Sequence, residues 1–302
     1  MSNKQVTSYK DATGVIQYNM TNDYMFRYIL QENEKVLLGL ISSLLHLKPD
    51  QIKKIKITNP INLNDDINGK EFILDINIML NNNTQIILEM QVLNQHNWSD
   101  RSLAYLCRSF DKLYRGQKYE EALPVIHIGF LDYTLFEDAP EFFSTNLMMN
   151  VKNHRIYNDK FRLSVLDLTQ IELATEEDIA YQIDYWARFF KAKTWEEIKM
   201  YAEKNEFLQE AAQSVYVANA DEIVRQKCQA REEAIRHERT VKRNMRILKK
   251  ENSQLKNDNA ILQQSNQQLT ASLAEKDAKI AEMDKKHKAE IAQLIEQLSK
   301  KE

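Results

Sequence analysis

The sequence predicts an α/β body followed by one long C-terminal helix, and three observations carry that prediction. The stretch "FILDINIMLNNNTQIILEMQ" (72–91) reads as two strands joined by a turn. Apolar residues recur at helical spacing over 21–47 and again from about 175 onward. All five glycines and all four prolines lie at or before Pro140, so the rest of the chain lacks the strongest helix breakers.

The 302 residues suffice for one large domain or two smaller ones, and 43% hydrophobic residues suffice for a core. The opening "MSNKQVTSYKDATG" has no apolar h-region, so no secretory signal is expected, and residues 1–17 are expected to form a flexible N-terminal segment. No run of about 18 apolar residues exists, so no membrane span is expected. Cys107 and Cys228 stand too far apart to suggest a zinc or disulfide framework, and a cytoplasmic protein is the expectation. Residues 1–220 carry 23 Lys+Arg against 30 Asp+Glu, whereas 221–302 carry 18 against 14. An anionic partner must therefore be met by local basic patches. The expected domains are a body over 18–220 and a basic helix leading into a coiled coil over 221–302.

Along the body, "TNDYMFRYILQENEKVLLGLISSLLHL" (21–47) reads as helix, capped by Asn22, with Asp23 in the first turn. Gly39 and the polar "QENE" suggest two helices or a bend. "IKKIKIT" (52–58) reads as a strand and "NPINLNDDINGK" (59–70) as a loop into the hairpin. A helix over about 99–117 follows, then the strands "VIHIGFL" (125–131) and "FRLSVLDL" (161–168), and helices return from about 175.

In the hairpin, Phe72, Leu74, Ile76, Ile78 and Leu80 share one face, as do Ile86, Leu88, Met90 and Val92. Asp75 and Glu89 fall on the mixed faces. The "NNN" turn (81–83) suits positive backbone dihedrals, and centring it on Asn82 sets Asp75 opposite Glu89. Like charges in that position oppose pairing. The cost is relieved by exposure on a solvated face, by protonation, or by a hard cation such as Mg²⁺ or Mn²⁺ between them. Gln91 shares the face of Glu89 and offers an amide to water or to an anionic substrate.

On "WSDRSLAYLCRSFDKLYRGQKY", Leu103, Leu106, Cys107, Phe110, Leu113 and Tyr114 are the expected buried face. Arg101, Tyr105, Arg108, Lys112 and Arg115 step by four and three into a second stripe. That stripe is either a solvated helix face or a track for a DNA backbone.

In the tail, ten Lys+Arg and three Asp+Glu lie between Arg225 and Lys250. Leu248, Leu255, Leu262 and Leu269 then repeat every seven, with Asn252, Asn259 and Asn266 four residues after each of the first three. Leucine at d and asparagine at a describe a weak parallel coiled coil, hence a homodimer. The repeat shifts by four to Leu273, Ile280, His287 and Leu294, a stutter that locally unwinds a supercoil. The basic segment could hold DNA, as in dimeric basic-region proteins, although no base-reading residue is identifiable.

The ordered blocks "TNDYMFRYIL", "ILDINIML", "IILEMQVL" and "WSDRSLAYLCRSFDKLYRGQKYEEALPVIHIGFLDY" resemble the recombination-promoting nuclease family, whose members are often labelled transposases. It belongs to the PD-(D/E)XK superfamily, and the resemblance covers roughly 18–240. The family's Asp/Phe pair matches Asp23 and Phe26, and its metal-binding Asp and Glu-x-Gln match Asp75, Glu89 and Gln91. Its Arg-x₃-Tyr helix matches Arg101 and Tyr105, and its G-x-x-Y element matches Gly116 and Tyr119. The resemblance implies a restriction-endonuclease-like mixed sheet flanked by helices and a metal-dependent DNA endonuclease. Asp75 and Glu89 would hold Mg²⁺ (or Mn²⁺), Gln91 would position water or phosphate, and Asp23 would order the site. Gln91 stands where the wider superfamily has lysine, so that position supplies no positive charge. The alternative is an inactive nuclease-fold module that binds DNA or protein through its basic helix and coiled coil. Nothing resembles the three-carboxylate site of RNase H-like transposases.

Overall fold

Asparagine side chains start and stop the first helices. The computed structural model describes residues 8–58, 61–62, 72–73, 76–113 and 116–299. In it, Asn22 accepts from the N–H groups of Tyr24 and Met25 and begins α1 (Asp23–Glu32). Asn33 ends that helix and accepts from Lys35 and Val36 at the start of α2 (Glu34–Leu44). The interruption thus falls within "QENE". Gly39 serves packing instead: a Cβ there would lie 2.3 Å from the Cβ of Phe207.

Five strands follow: β1 (Ile55–Thr58), β2 (Ile61–Asn62), β3 (Phe72–Ile73), β4 (Ile76–Leu80) and β5 (Thr84–Gln91). β2 and β3 pair with each other as a small antiparallel ribbon. Asn81 and Asn82 take the left-handed conformation, with φ of 51° and 60°, between β4 and β5. Ile76 pairs with Leu88 and Leu80 with Thr84, the register that a turn centred on Asn82 predicts. Asp75 and Leu74 lie outside the described residues.

Beyond the hairpin come α3 (Trp98–Phe110), β6 (Val125–Leu131), β7 (Phe143–Met149) and β8 (Ile156–Asp167). The main sheet has six strands in the order β1-β4-β5-β6-β8-β7. The β5–β6 and β6–β8 pairs are parallel and the others antiparallel, so the sheet is mixed. Three expectations are corrected here. The helix placed over 99–117 ends at Phe110, with Asp111 as its C-cap. The strand expected at 161 begins at Ile156, and its added length pairs with β7, an edge strand that lacks an apolar run. Residues 8–17 belong to the body rather than to a flexible segment: Tyr9 and Ile16 are buried, and the Ile16 N–H donates to the Lys193 carbonyl.

Helices α4 (Glu176–Ala180), α5 (Ile183–Lys191), α6 (Trp195–Ala202) and α7 (Glu206–Ala220) complete the body, and α8 (Glu222–Ser299) runs for 78 residues. Thr175 and Thr194 open α4 and α6 through reciprocal hydrogen bonds with Asp178 and Glu197. The chain divides into two compact units, Met1–Ile235 and Arg236–Glu302, the second built on α8. Among the described residues, no helix is long and apolar enough to cross a membrane.

Within the first unit, the expected apolar faces of β4 and β5 join one large core. Ile76, Ile78, Ile86, Leu88 and Met90 pack there with Ile126, Ile128 and Phe130 of β6 and with the helical layer. Phe26, Phe130 and Phe190 meet at ring-centroid distances of 5.0, 5.6 and 5.9 Å. Each fully buried side chain of this size contributes about 1.5–3 kcal/mol. The opposite face of the sheet is covered by α3, over two smaller clusters around Ile87–Tyr105–Leu106 and Trp98–Leu131–Val165. Of the hairpin's mixed face, the described residues Asn77, Gln85, Ile87, Glu89 and Gln91 are buried, not solvated. That burial sets up the chemistry of the site.

Candidate active site

Glu89 lies on β5 facing α3 and is only 3% exposed. A carboxylate removed from water in this way needs compensating partners. Arg101, from the second turn of α3, places Nη2 2.7 Å from Glu89 Oε1. His127, from β6, brings Nε2 to 3.3 Å from Glu89 Oε2. His127 is fully buried, and its Nδ1 stands 3.2 Å from the Ser102 carbonyl, so Nδ1 carries the proton that donates there. The facing atoms Glu89 Oε2 and His127 Nε2 make no hydrogen bond with each other or with another described group.

Gln91, two residues on, is buried on the same face, and its Oε1 accepts from the Tyr133 hydroxyl at 2.9 Å. Burial first, and the charge of Glu89 second, push the Tyr133 phenol well above its ordinary range. Tyr133 is therefore a firm donor. With Oε1 engaged, Gln91 offers its amide N–H₂ as the remaining polar group.

The helix above these strands is rotated from the expectation. Trp98, Ser102, Tyr105, Leu106 and Ser109 are its buried positions, whereas Leu103 is 48% exposed and Cys107 is also exposed. Leu106 and Phe110 pack inward as expected, but the buried face turns away from Leu103 and Cys107 because the sheet beneath α3 also carries the polar residues Glu89 and His127. Ser102 and Tyr105 meet His127 there, with the Tyr105 and His127 rings 6.2 Å apart. Tyr105 therefore stacks inside the body and is not part of a solvent-facing stripe. Arg101 lies over the Tyr105 ring at 5.0 Å while it holds Glu89. Arg108 remains on the helix, Lys112 lies beyond its end, and Arg115 lies outside the described residues.

Asp23 is buried at the start of α1, where Arg231 of α8 pairs with its Oδ2. Beside it, the Asn22 amide donates to the Cys228 carbonyl at 3.1 Å. Asp23 is thus bound into the junction of α1 with the first turns of α8, while Glu89, Gln91 and Arg101 gather under α3. His127, Tyr133 and Arg231 were not anticipated. His127 left a signal, a lone polar residue within the apolar run "VIHIGFL".

A hard divalent cation prefers carboxylate oxygen. Glu89 Oε2, buried, facing His127 Nε2 at 3.3 Å and without a hydrogen-bond partner among the described residues, is a donor of that kind. Among the described residues, no three His, Cys, Asp or Glu side chains gather into a metal-binding group. The residue expected to complete the pair, Asp75, lies outside the described residues. Among the described residues, the donor chemistry offers such an ion one oxygen, that of Glu89.

A family model described as "PD-(D/E)XK nuclease family transposase" matches residues 20–245. No curated protein and no solved structure matches the chain.

Proposed function

The chain belongs to the PD-(D/E)XK nuclease family of transposases, and we propose that it is a metal-dependent DNA endonuclease acting in recombination or in the movement of mobile elements. The observation that carries the reading is the buried Glu89–x–Gln91 pair on one face of β5, with Glu89 Oε2 faced by His127 Nε2 at 3.3 Å but hydrogen-bonded to no described group. Asp75 and Glu89 would hold Mg²⁺ or Mn²⁺. When bound, the ion supplies charge to polarise the phosphoryl oxygen and to lower the pKa of attacking water. Gln91, its carbonyl tied to Tyr133, directs its amide N–H₂ to water or to a phosphate oxygen, a donor role in place of the superfamily's lysine. Arg101 holds the Glu89 carboxylate, and His127 backs it from the sheet. Hydrolysis joins the water oxygen to phosphorus, breaks one P–O ester bond and leaves a proton on the departing oxygen.

We also propose that α8 pairs two chains. Leu248, Leu255, Leu262 and Leu269 are each about 60% exposed in the single chain, an apolar seam that a second copy would cover. Sedimentation velocity tests it, a purely monomeric protein at high concentration being the contrary result.

One observation favours the alternative, an inactive module that binds DNA or protein. The Arg101 guanidinium already neutralises Glu89, so the carboxylate is stable with no cation present. Plasmid nicking in Mg²⁺, Mn²⁺ or EDTA decides between the readings. A nuclease nicks in metal, not in EDTA, and loses activity in both Asp75→Ala and Glu89→Ala. DNA binding without nicking in any metal would support the inactive module.

A further inference from the structure

The segment of α8 just before the leucine seam is unusually one-sided. Residues 239–250, "RTVKRNMRILKK", contain six Lys+Arg and no Asp or Glu. Arg239, Arg243, Arg246 and Lys250 step by four, three and four, so at 3.6 residues per turn they fall within one narrow strip. All four are exposed. The seam runs along the other side. Extending the heptad of Leu248 backwards places Val241 at d and Met245 at a, and both are exposed apolar residues. The cation strip occupies the b and f positions, roughly opposite.

This placement has an electrostatic consequence. Elsewhere on α8, Lys279 finds Glu275 one turn away at 2.6 Å and Lys286 finds Glu282 at 3.3 Å, and within the segment Lys242, off the strip, finds Glu238 at 3.5 Å. No acid lies within 239–250 to do the same for the strip. Four cations over about 16 Å of helix repel one another and gain most from a partner with closely spaced negative charges. A coiled-coil partner on the a/d seam leaves the strip uncovered, so the two surfaces do not compete.

We infer that the Arg239–Arg243–Arg246–Lys250 strip is a second nucleic-acid contact, separate from the candidate active site, and that it grips the phosphate backbone of duplex DNA. The occupant is chosen by charge complementarity together with the DNA reading proposed above, on which the inference rests. The contact is independent of sequence, because cations on phosphates position a duplex without reading bases. Pairing two chains places two such strips back to back across the seam. A dimer can then hold two DNA segments, or two stretches of one, as joining or exchanging DNA ends requires.

The test is fluorescence anisotropy of a labelled 30-base-pair duplex against the full-length protein, in EDTA so that nothing is cut, across a series of NaCl concentrations. A variant with Arg239→Gln, Arg243→Gln, Arg246→Gln and Lys250→Gln is compared with wild type. A control of equal charge change carries Lys276→Gln, Lys279→Gln, Lys285→Gln and Lys286→Gln. Helix content is checked in each by circular dichroism. The expected result is a weakening of at least about tenfold and a flattening of the log K against log salt slope by roughly 2–4 per chain in the strip variant alone. Equal binding and equal slopes in the strip and control variants would overturn the inference. So would a strip variant that keeps wild-type affinity for this duplex and loses affinity only for a labelled 30-nucleotide RNA titrated in parallel. Because binding is read in EDTA with Asp75 and Glu89 intact, failure here is distinguishable from failure of the nuclease reading, which is scored by cleavage.

Discussion

Arg101 Nη2 stands 2.7 Å from Glu89 Oε1, joining the helix over the sheet to the buried carboxylate beneath it. Removing the guanidinium would strand a negative charge in the interior, which costs more than the pair itself contributes. Arg101→Met is expected to lower the unfolding free energy by about 2 kcal/mol. Adding Glu89→Gln should restore much of that loss, because the charge needing compensation has gone. Urea denaturation of both single variants and the double variant measures the coupling. Strictly additive effects would show that the ion pair does not organise this face.

Gly129 sits directly across from Glu89 in the β5–β6 register, and the Trp98 indole lies over it. A Cβ at that position would come within 2.0 Å of the indole ring. Gly129→Ala must therefore displace Trp98, the first residue of α3, three positions before Arg101. The expected cost is about 2 kcal/mol. A drop in activity should accompany it, although no polar group of the site is altered. Thermal unfolding and nicking rates on the same preparation check both parts.

How much of this was legible in sequence varies from element to element. The Asn22 cap, the helix break in "QENE" and the Asn81–Asn82 turn depend on local chemistry, and local chemistry is written in consecutive residues. The register that pairs Ile76 with Leu88 followed from the turn alone. The orientation of α3 did not. It is set by His127, which meets Ser102 and Tyr105, and by Glu89, which takes Arg101, both on strands distant in sequence, and Leu103 is left outside. β7 was missed because an edge strand exposed along much of its length has no apolar run to announce it. The partners of Gln91 and Asp23, namely Tyr133 and Arg231, are likewise products of the fold.

Asp184 provides a test by pH. Its carboxyl is held above the ordinary value, chiefly by burial, against the smaller opposing pull of the Tyr185 N–H and of Arg188. The folded state therefore takes up this proton more readily than the unfolded state, and stability falls as pH rises from the unfolded value towards the folded one. Above that window the full penalty applies. Asp184→Asn removes the charge and keeps an acceptor, so it should raise the melting temperature at pH 7. Near pH 3, below the ordinary carboxylate value of about 3.9, it should change little. A variant equally stabilised at both pH values would contradict the assignment.

The central claim is that Glu89 is kept buried for chemistry and not only for its contact with Arg101. Single-turnover cleavage of a labelled duplex in Mg²⁺ by wild type and by Glu89→Gln tests it most directly, with DNA affinity and melting temperature measured alongside. The account predicts a loss of roughly a thousandfold in rate, the worth of about 4 kcal/mol of transition-state stabilisation, with affinity retained. Cleavage at the wild-type rate by a folded Glu89→Gln protein would contradict it.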